Sequence, residues 1–236
     1  MQKLIFVFFI LIPAFLFGEV KFENITIEKA IEKAASERKL IMIDIYTDWC
    51  VPCKELEKYI FQDSTISEFI NNHFISLRIN AEKNGGPDFC KKYQIPEAYP
   101  TVQFLTAKGD EIDRIVGLFD KSKYFGTIQD YANGRNTFVV LLEKYRKENN
   151  NSELAIQIGE KYSVRAKHEK ALQYYLTAPK DGNQQSNHAL WFKIASSYNR
   201  LEKYSEAQKA LDKALELDPE NKLYKMFKER LRKVEK

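Results

Sequence analysis

The chain is poor in the residues that hold metal ions. Its 236 residues include only three cysteines and three histidines. The histidines, His73, His168 and His188, are far apart, and no second pair of cysteines exists to complete a zinc site. The sequence also has no glycine-rich phosphate loop and no serine nucleophile motif. We therefore expect neither a metal centre nor phosphate-transfer chemistry.

The two halves of the chain differ in net charge, −4 against +7. Residues 19–134 carry 15 basic and 19 acidic side chains, and residues 135–236 carry 21 and 14. Because acids are interspersed among the bases of the second half, the pattern favours a solvated helical surface and no nucleic-acid partner. A surface for acidic partners or for a membrane is the alternative interpretation.

Long hydrophobic runs are absent except at the N-terminus, where residues 4–17 are apolar and follow a single basic residue, Lys3. This run is shorter than the roughly 20 residues that span a bilayer as a helix. We predict a signal peptide over residues 1–18 and an extracytoplasmic protein, either periplasmic or secreted. The alternative is an uncleaved membrane anchor, because Leu16 is large for its position before the expected cleavage site.

Two of the cysteines form the motif Cys50-Val51-Pro52-Cys53, which follows an apolar strand-like run and opens a helical one. A cysteine at a helix N-terminus faces unpaired N–H groups and the positive end of the helix dipole, which favour the thiolate. The second cysteine lies one turn later and can resolve a mixed disulfide. The spacing therefore predicts a redox-active dithiol. The third cysteine, Cys90, is expected to be a half-buried apolar residue, with intermolecular pairing as the alternative.

Several motifs across residues 22–133 resemble the thioredoxin superfamily in order and spacing. The segment Leu40–Thr47 is similar to the strand that delivers the family's active site, and Tyr99-Pro100-Thr101 is similar to its cis-proline loop. Lys108-Gly109-Asp110 is similar to its hairpin turn. The form Asp48-Trp49-Cys50 is most similar to the extracytoplasmic reducing branch. The resemblance implies an α/β thioredoxin-like fold, with helices on both faces of a mixed sheet, over residues 19–134.

The resemblance also implies the catalytic roles. Cys50 is expected to be an exposed nucleophile that attacks a substrate disulfide, and Cys53 is the resolving cysteine. Asp44 lies six residues before Cys50, where the family keeps a buried acid, and is expected to take a proton from Cys53.

Substrate contacts follow from the same resemblance. Trp49 is expected to shield the dithiol, while Tyr99 and Pro100 are expected to line the groove that receives a substrate strand. Lys54 and Arg78 could add positive charge near the site. Arg78 stands where cytoplasmic thioredoxins often have a lysine, and we interpret it as a surface residue.

The direction of the reaction is predicted from the two residues between the cysteines. Val51 and Pro52 include no histidine, which strongly oxidising relatives often have at this place. A reduction potential nearer about −270 mV than about −120 mV is therefore expected. The predicted partners are protein disulfide substrates and an upstream thiol protein that donates electrons, with no cofactor besides the dithiol. An oxidase or isomerase is the alternative.

The second half of the chain contains a repeat. Residues 188–221 match the 34-residue tetratricopeptide pattern, and residues 152–185 form a weaker copy. Flanking helices are expected over residues 137–149 and 223–235. We predict an all-α tetratricopeptide-repeat domain over residues 135–236 that recruits a protein partner.

Two alternatives to partner recruitment are open. The repeats either stabilise the neighbouring domain only, or they are themselves the function, as a client-binding scaffold beside a vestigial dithiol.

Two local signals predict where helices begin. The sequence Thr65-Ile66-Ser67-Glu68 resembles a capping box, with Thr65 as the cap of a short helix. Asn136, which follows the helix-stop sequence Asn133-Gly134, is the predicted cap of the first helix in the second half.

Overall fold

A computed structural model describes residues 18–148, 151–178 and 187–234. The predicted signal peptide lies outside these residues, except for Gly18. The first region contains α1 (Ile27–Glu37), β1 (Leu40–Tyr46), α2 (Val51–Leu56), α3 (Ser64–His73), β2 (Phe74–Asn80), α4 (Gly86–Lys92), β3 (Thr101–Leu105), β4 (Glu111–Val116) and α5 (Lys121–Ala132). The second contains α6 (Phe138–Lys147), α7 (Ser152–Ser163), α8 (His168–Tyr175), α9 (His188–Arg200), α10 (Tyr204–Leu217) and α11 (Lys222–Val234).

The four strands form one mixed sheet in the order β2-β1-β3-β4. Strand β1 pairs in parallel with β2 and antiparallel with β3, and β3 pairs antiparallel with β4. The central strand β1 is a nearly continuous apolar run because both of its faces are covered.

Each face of the sheet carries its own core. Met42, Val102 and Phe104 pack against the side of the sheet where α2, α3 and α5 lie. Ile41, Ile43 and Ile45 pack on the other side, with α1 and α4. This alternation along β1 follows from the two-residue period of a strand. The α/β thioredoxin-like fold is therefore confirmed.

Cys50 caps the N-terminus of helix α2, and its sulfur accepts a hydrogen bond from the Cys53 N–H at 3.1 Å. Pro52 fits the first turn, where no N–H is needed. Beyond Leu56 the helix continues as a π-helical turn over Glu57–Phe61. This turn was not anticipated from the sequence.

Both predicted helix caps were wrong by one or two residues. Helix α3 begins at Ser64, because Asp63 accepts a hydrogen bond from the Ile66 N–H at 2.9 Å. Helix α6 begins at Phe138 under the Thr137 cap. Asn136 instead has a φ of 51° and donates its side-chain amide to Asp130.

The second region consists of antiparallel helix pairs, with α9 on α10 and α7 on α8. A shared core joins the α8, α9, α10 and α11 side chains. Helices α6 and α11 lie where flanking helices were predicted. The last part of the weaker repeat, residues 179–185, lies outside the described residues.

A buried ion-pair cluster fastens the helical region to the edge strand β4. Asp113 is fully buried and lies 2.6 Å from the Lys161 ammonium and 2.9 Å from the Arg165 guanidinium. The same carboxylate accepts a hydrogen bond from the Phe138 N–H at 2.9 Å. Arg165 also pairs with Glu111 at 2.7 Å. Helix α7 is therefore held directly against the sheet.

Candidate redox site

Cys50 and Cys53 lie just beyond the carboxyl end of β1 and are joined by a disulfide. Cys50 is only 2% exposed, so the prediction of an exposed sulfur was wrong for this oxidised state. Its sulfur turns toward the first turn of α2, where it accepts the Cys53 N–H. The exposed large apolar side chains of this turn are Trp49 and Val51, at 65% and 63%.

The three residues assigned to substrate binding border the dithiol turn. The Trp49 and Tyr99 rings meet edge to face, with their centroids 6.1 Å apart. The Tyr99–Pro100 peptide bond is cis, and Pro100 leads directly into β3, the neighbour of β1. The structure thus brings Trp49 to the cis-proline loop, while the substrate role of all three residues stays a prediction.

Polar contacts fix the turn that precedes Cys50. Asp48 lies 2.5 Å from the Lys83 ammonium and accepts a hydrogen bond from the Asn80 amide at 2.8 Å. The Trp49 indole N–H donates to Glu82 at 2.9 Å. The end of β2 and the loop after it therefore hold the turn in place.

Asp44 occupies β1 on the face covered by α2, and it is 2% exposed. Its Oδ2 accepts a hydrogen bond from the Arg78 Nε–H at 2.9 Å. Burial raises the pKa of Asp44 to about 6, and Arg78 opposes that rise. The carboxyl group is therefore mostly ionised at neutral pH and able to accept a proton.

Arg78 was interpreted from the sequence as a surface residue that could add charge near the site, and its pairing with Asp44 was missed. It stands directly opposite Asp44 in the parallel pairing of β1 with β2, and it also contacts Glu57 at 3.3 Å. Its guanidinium lies over the rings of Phe22 and Tyr46, at 4.5 and 5.5 Å from their centroids. The signal that could have found it is the strand register, which no local motif contains.

A cavity of about 200 Å³ joins the acid to the resolving cysteine. Its lining includes Asp44, Cys53, Glu57 and Arg78, together with Lys54. A polar cavity of this size accommodates water. The role of Asp44 as the acceptor of the Cys53 proton stays a prediction.

Cys90 lies on α4 and is partly buried against the core that includes Tyr99. Burial raises the pKa of its thiol, which disfavours the reactive thiolate. Its role stays a prediction.

Across residues 18–148, 151–178 and 187–234, no three His, Cys, Asp or Glu side chains cluster as metal ligands. Among the helices in those same segments, none has the length and apolar character needed to cross a membrane.

A dithiol at a helix N-terminus, a buried acid beneath it and a cis-proline loop beside it define a thioredoxin-like domain. Residues 27–132 match the family described as thioredoxin-like domain, and residues 188–221 match the tetratricopeptide repeat. The thioredoxin-like family match thus lies in the first region, and a tetratricopeptide repeat lies in the second. The second match coincides with the stronger predicted repeat, which is thereby confirmed.

Similar proteins carry names from disulfide chemistry. The thiol:disulfide interchange protein DsbD of Yersinia pestis is 31% identical over 100 residues, which are 41% of this chain and 17% of that protein. DsbD of Citrobacter koseri is 32% identical over 118 residues, 48% of this chain and 21% of the relative. The chain thus spans about a fifth of the length of these curated relatives.

Among solved structures, a proposed disulphide-isomerase of Bacteroides thetaiotaomicron is 33% identical, with a TM-score of 0.44. The match covers 48% of this chain and 94% of that one. The first domain is therefore similar in sequence to thioredoxin-like domains and to proteins named for thiol:disulfide interchange.

Proposed function

We propose that this protein reduces disulfide bonds in other proteins outside the cytoplasm. The observation that carries the proposal is the arrangement of Cys50 and Cys53 at the start of α2, above the buried Asp44 and its partner Arg78. Similarity to thiol:disulfide interchange proteins supports the same chemistry.

The reaction begins with the reduced protein. The Cys50 thiolate attacks one sulfur of a client disulfide, and the client's other sulfur leaves as a thiolate. Cys53 then passes its proton to Asp44, and its thiolate attacks the Cys50 sulfur in the mixed disulfide. The Cys50–Cys53 disulfide forms as the bond between Cys50 and the client breaks. The client leaves with two more electrons, and its two thiolates take up the proton from Asp44 and one from solvent to give a dithiol.

The cycle requires a second partner. A thiol protein upstream must reduce the Cys50–Cys53 disulfide again, and the dithiol is the only redox group that the cycle uses. The absence of histidine between the cysteines favours a reducing potential. An oxidase or isomerase would use the same residues at a higher potential.

The location is proposed from the N-terminal sequence. The apolar run over residues 4–17 supports export to the periplasm or beyond. If the signal is not cleaved, the same run tethers the domain to a membrane.

The tetratricopeptide repeats are proposed to recruit a protein partner, which selects the clients that the dithiol reduces. Exposed apolar side chains near the C-terminal end, Leu217, Leu223 and Met226, support a protein-binding surface. They also favour the second candidate function, a client-binding scaffold that does not depend on the cysteines.

Trapping of mixed disulfides separates the two functions. A Cys53→Ala variant cannot resolve the mixed disulfide, so we expect clients to stay covalently bound to Cys50 until a reductant is added. A variant without either cysteine is the control. Clients lost from that control support the reductase, and clients retained by it support the scaffold.

Insulin reduction is the activity assay. We expect Cys50→Ser to abolish it, and retained activity would contradict the assigned mechanism.

A further inference from the structure

Two buried polar atoms near the dithiol have no hydrogen-bond partner among the groups that the structure describes: the Asp44 Oδ1 and the Tyr124 hydroxyl. Tyr124 is fully buried, and Asp44 is 2% exposed. Buried polar groups in folded proteins almost always have a partner, so two such atoms in one core require an explanation.

The two side chains enter the same core from opposite sides. Asp44 stands opposite Val102 in the pairing of β1 with β3, and it shares a sheet face with Met42, two residues earlier. Met42, Val102 and Tyr124 belong to one cluster of buried side chains. Asp44 thus reaches this core from the sheet, while Tyr124 reaches it from α5.

Electrostatics supports this proximity. Burial raises the pKa of Tyr124 well above its ordinary value, and the negative charge of Asp44 raises it further. A phenol in this condition keeps its proton at every physiological pH. It is therefore available only as a neutral hydrogen-bond donor or acceptor.

We propose that Tyr124 is a positioning residue for Asp44, its hydroxyl donating through one buried water to Oδ1 while Arg78 donates to Oδ2. The carboxylate then has one donor on each oxygen, which fixes its orientation and stabilises its charged form. This inference deepens the proposed function, because Asp44 is the group that receives the Cys53 proton in that cycle.

Other buried side chains are also unpartnered. Gln103 is also buried without a partner, but it stands opposite Ile43 and therefore on the other face of the sheet. Thr47 has an unpartnered hydroxyl and lines the same cavity as Asp44, so it is the competing donor. The experiment must separate Thr47 from Tyr124.

The test follows the ionisation of Asp44 in the full-length, oxidised protein. Carbon-13 NMR of labelled aspartate reports each carboxyl group, and Asp44→Asn assigns the signal. The Asp44 titration is expected near pH 6 in the unchanged protein. Tyr124→Phe removes only the donor, so we expect the midpoint to rise by about one pH unit.

Two matched variants serve as controls. Tyr131→Phe removes a hydroxyl from the same core, but that hydroxyl accepts a hydrogen bond from Lys161. We expect Tyr131→Phe to leave the midpoint of the Asp44 titration unchanged. Thr47→Val removes the competing hydroxyl. If the Asp44 midpoint rises in this variant but not in Tyr124→Phe, the proposal is overturned.

A stronger hydrogen-bond donor at position 124 should shift the Asp44 midpoint in the opposite direction. Fluorotyrosine placed at position 124 has a more acidic hydroxyl, so we expect the Asp44 midpoint to fall. This replacement keeps the ring and hydroxyl, and it tests the proposal even if Tyr124→Phe does not fold. An Asp44 midpoint that does not move with fluorotyrosine or with folded Tyr124→Phe overturns the proposal.

The titration distinguishes this inference from the proposed function, because it requires neither a client nor turnover. If Tyr124→Phe shifts the Asp44 midpoint but the unchanged protein reduces no disulfide, the inference holds and the proposed function fails. If the midpoint does not shift but the unchanged protein reduces disulfides, the inference fails and the proposed function holds.

Discussion

Arg78 and Asp44 stand directly opposite each other on the parallel strands β2 and β1, with the Arg78 Nε 2.9 Å from the Asp44 Oδ2. The acid is almost fully buried, whereas the arginine side chain is 27% exposed and also reaches Glu57. The pair thus extends from the protein core beneath the dithiol to the surface. Arg78 is the cation that offsets the burial of this acid.

Removal of Arg78 should make Asp44 a poorer proton acceptor at neutral pH. Arg78 lowers the pKa of Asp44 against the effect of burial, so Arg78→Met should raise that pKa above about 6. We expect the acidic limb of the pH–activity profile for insulin reduction to move to higher pH. Arg230→Met, on an exposed part of α11, is the control and should not move it. If the acidic limb of the profile does not shift in Arg78→Met, Arg78 does not control activity through the pKa of Asp44.

The raised pKa of Asp44 also predicts how stability depends on pH. The value rises from 3.8 to about 6 on folding, so the folded protein holds this proton more tightly than the unfolded chain. Its contribution to the free energy of unfolding is fully present below about pH 4 and is lost as pH rises through about 6.

Asp44→Asn should therefore be more stable than the unchanged protein at pH 8, by up to about 3 kcal/mol. Urea unfolding at pH 4 and pH 8 measures the difference, which should shrink at the lower pH because Asp44 is then protonated. A difference that is equal at both pH values would show that ionisation of Asp44 does not cause it.

The ion-pair cluster around Asp113 should hold the two regions together. Asp113→Ala leaves Lys161 and Arg165 without their buried partner, and such a loss typically costs about 3–5 kcal/mol. We expect a lower urea midpoint and faster proteolysis between α5 and α7. Asp130→Ala removes the partner of the exposed Arg135 and should cost less than about 1 kcal/mol. Equal effects of the two variants would mean that burial of the cluster is unimportant.

Two glycines in helices should respond to alanine in opposite ways. A Cβ at Gly159 would lie 2.4 Å from the Tyr175 ring, so Gly159→Ala should destabilise the protein by about 1–3 kcal/mol. A Cβ at Gly126 would meet nothing within 4 Å, and Gly126→Ala in α5 should stabilise by about 0.5–1 kcal/mol. Thermal unfolding measures the change in stability of both variants. Destabilisation by Gly126→Ala would contradict the packing described for α5.

The fold and the dithiol could be predicted because their signals are local. The Cys50–Cys53 spacing, the apolar run of β1 and the repeat over residues 188–221 each lie within one short segment. These segments were sufficient to predict the order of the two regions. The structure then confirmed the mixed sheet that the resemblance implied.

The site features that were missed depend on residues far apart in the chain. Asp44 and Arg78 are 34 residues apart, and only the pairing of β1 with β2 brings them together. Arg165 reaches Asp113 across 52 residues. Strand register and domain packing decide such contacts, and neither is visible in a local motif.

Helix starts failed for a different reason. The segments 63–65 and 136–137 each contain more than one residue type that can cap a helix. Asp63 and Thr137 are the actual caps because their side chains reach the free N–H groups of α3 and α6. Local sequence restricts the choice of cap, and the path of the incoming chain decides it.

The equilibrium reduction potential of the Cys50–Cys53 couple tests the central claim most directly. A series of dithiol buffers, with alkylation of free thiols read by mass, gives the value for the full-length protein. The proposed reductase should have a potential of about −250 mV or below. A potential of about −150 mV or above would contradict it and assign the dithiol to an oxidase or isomerase.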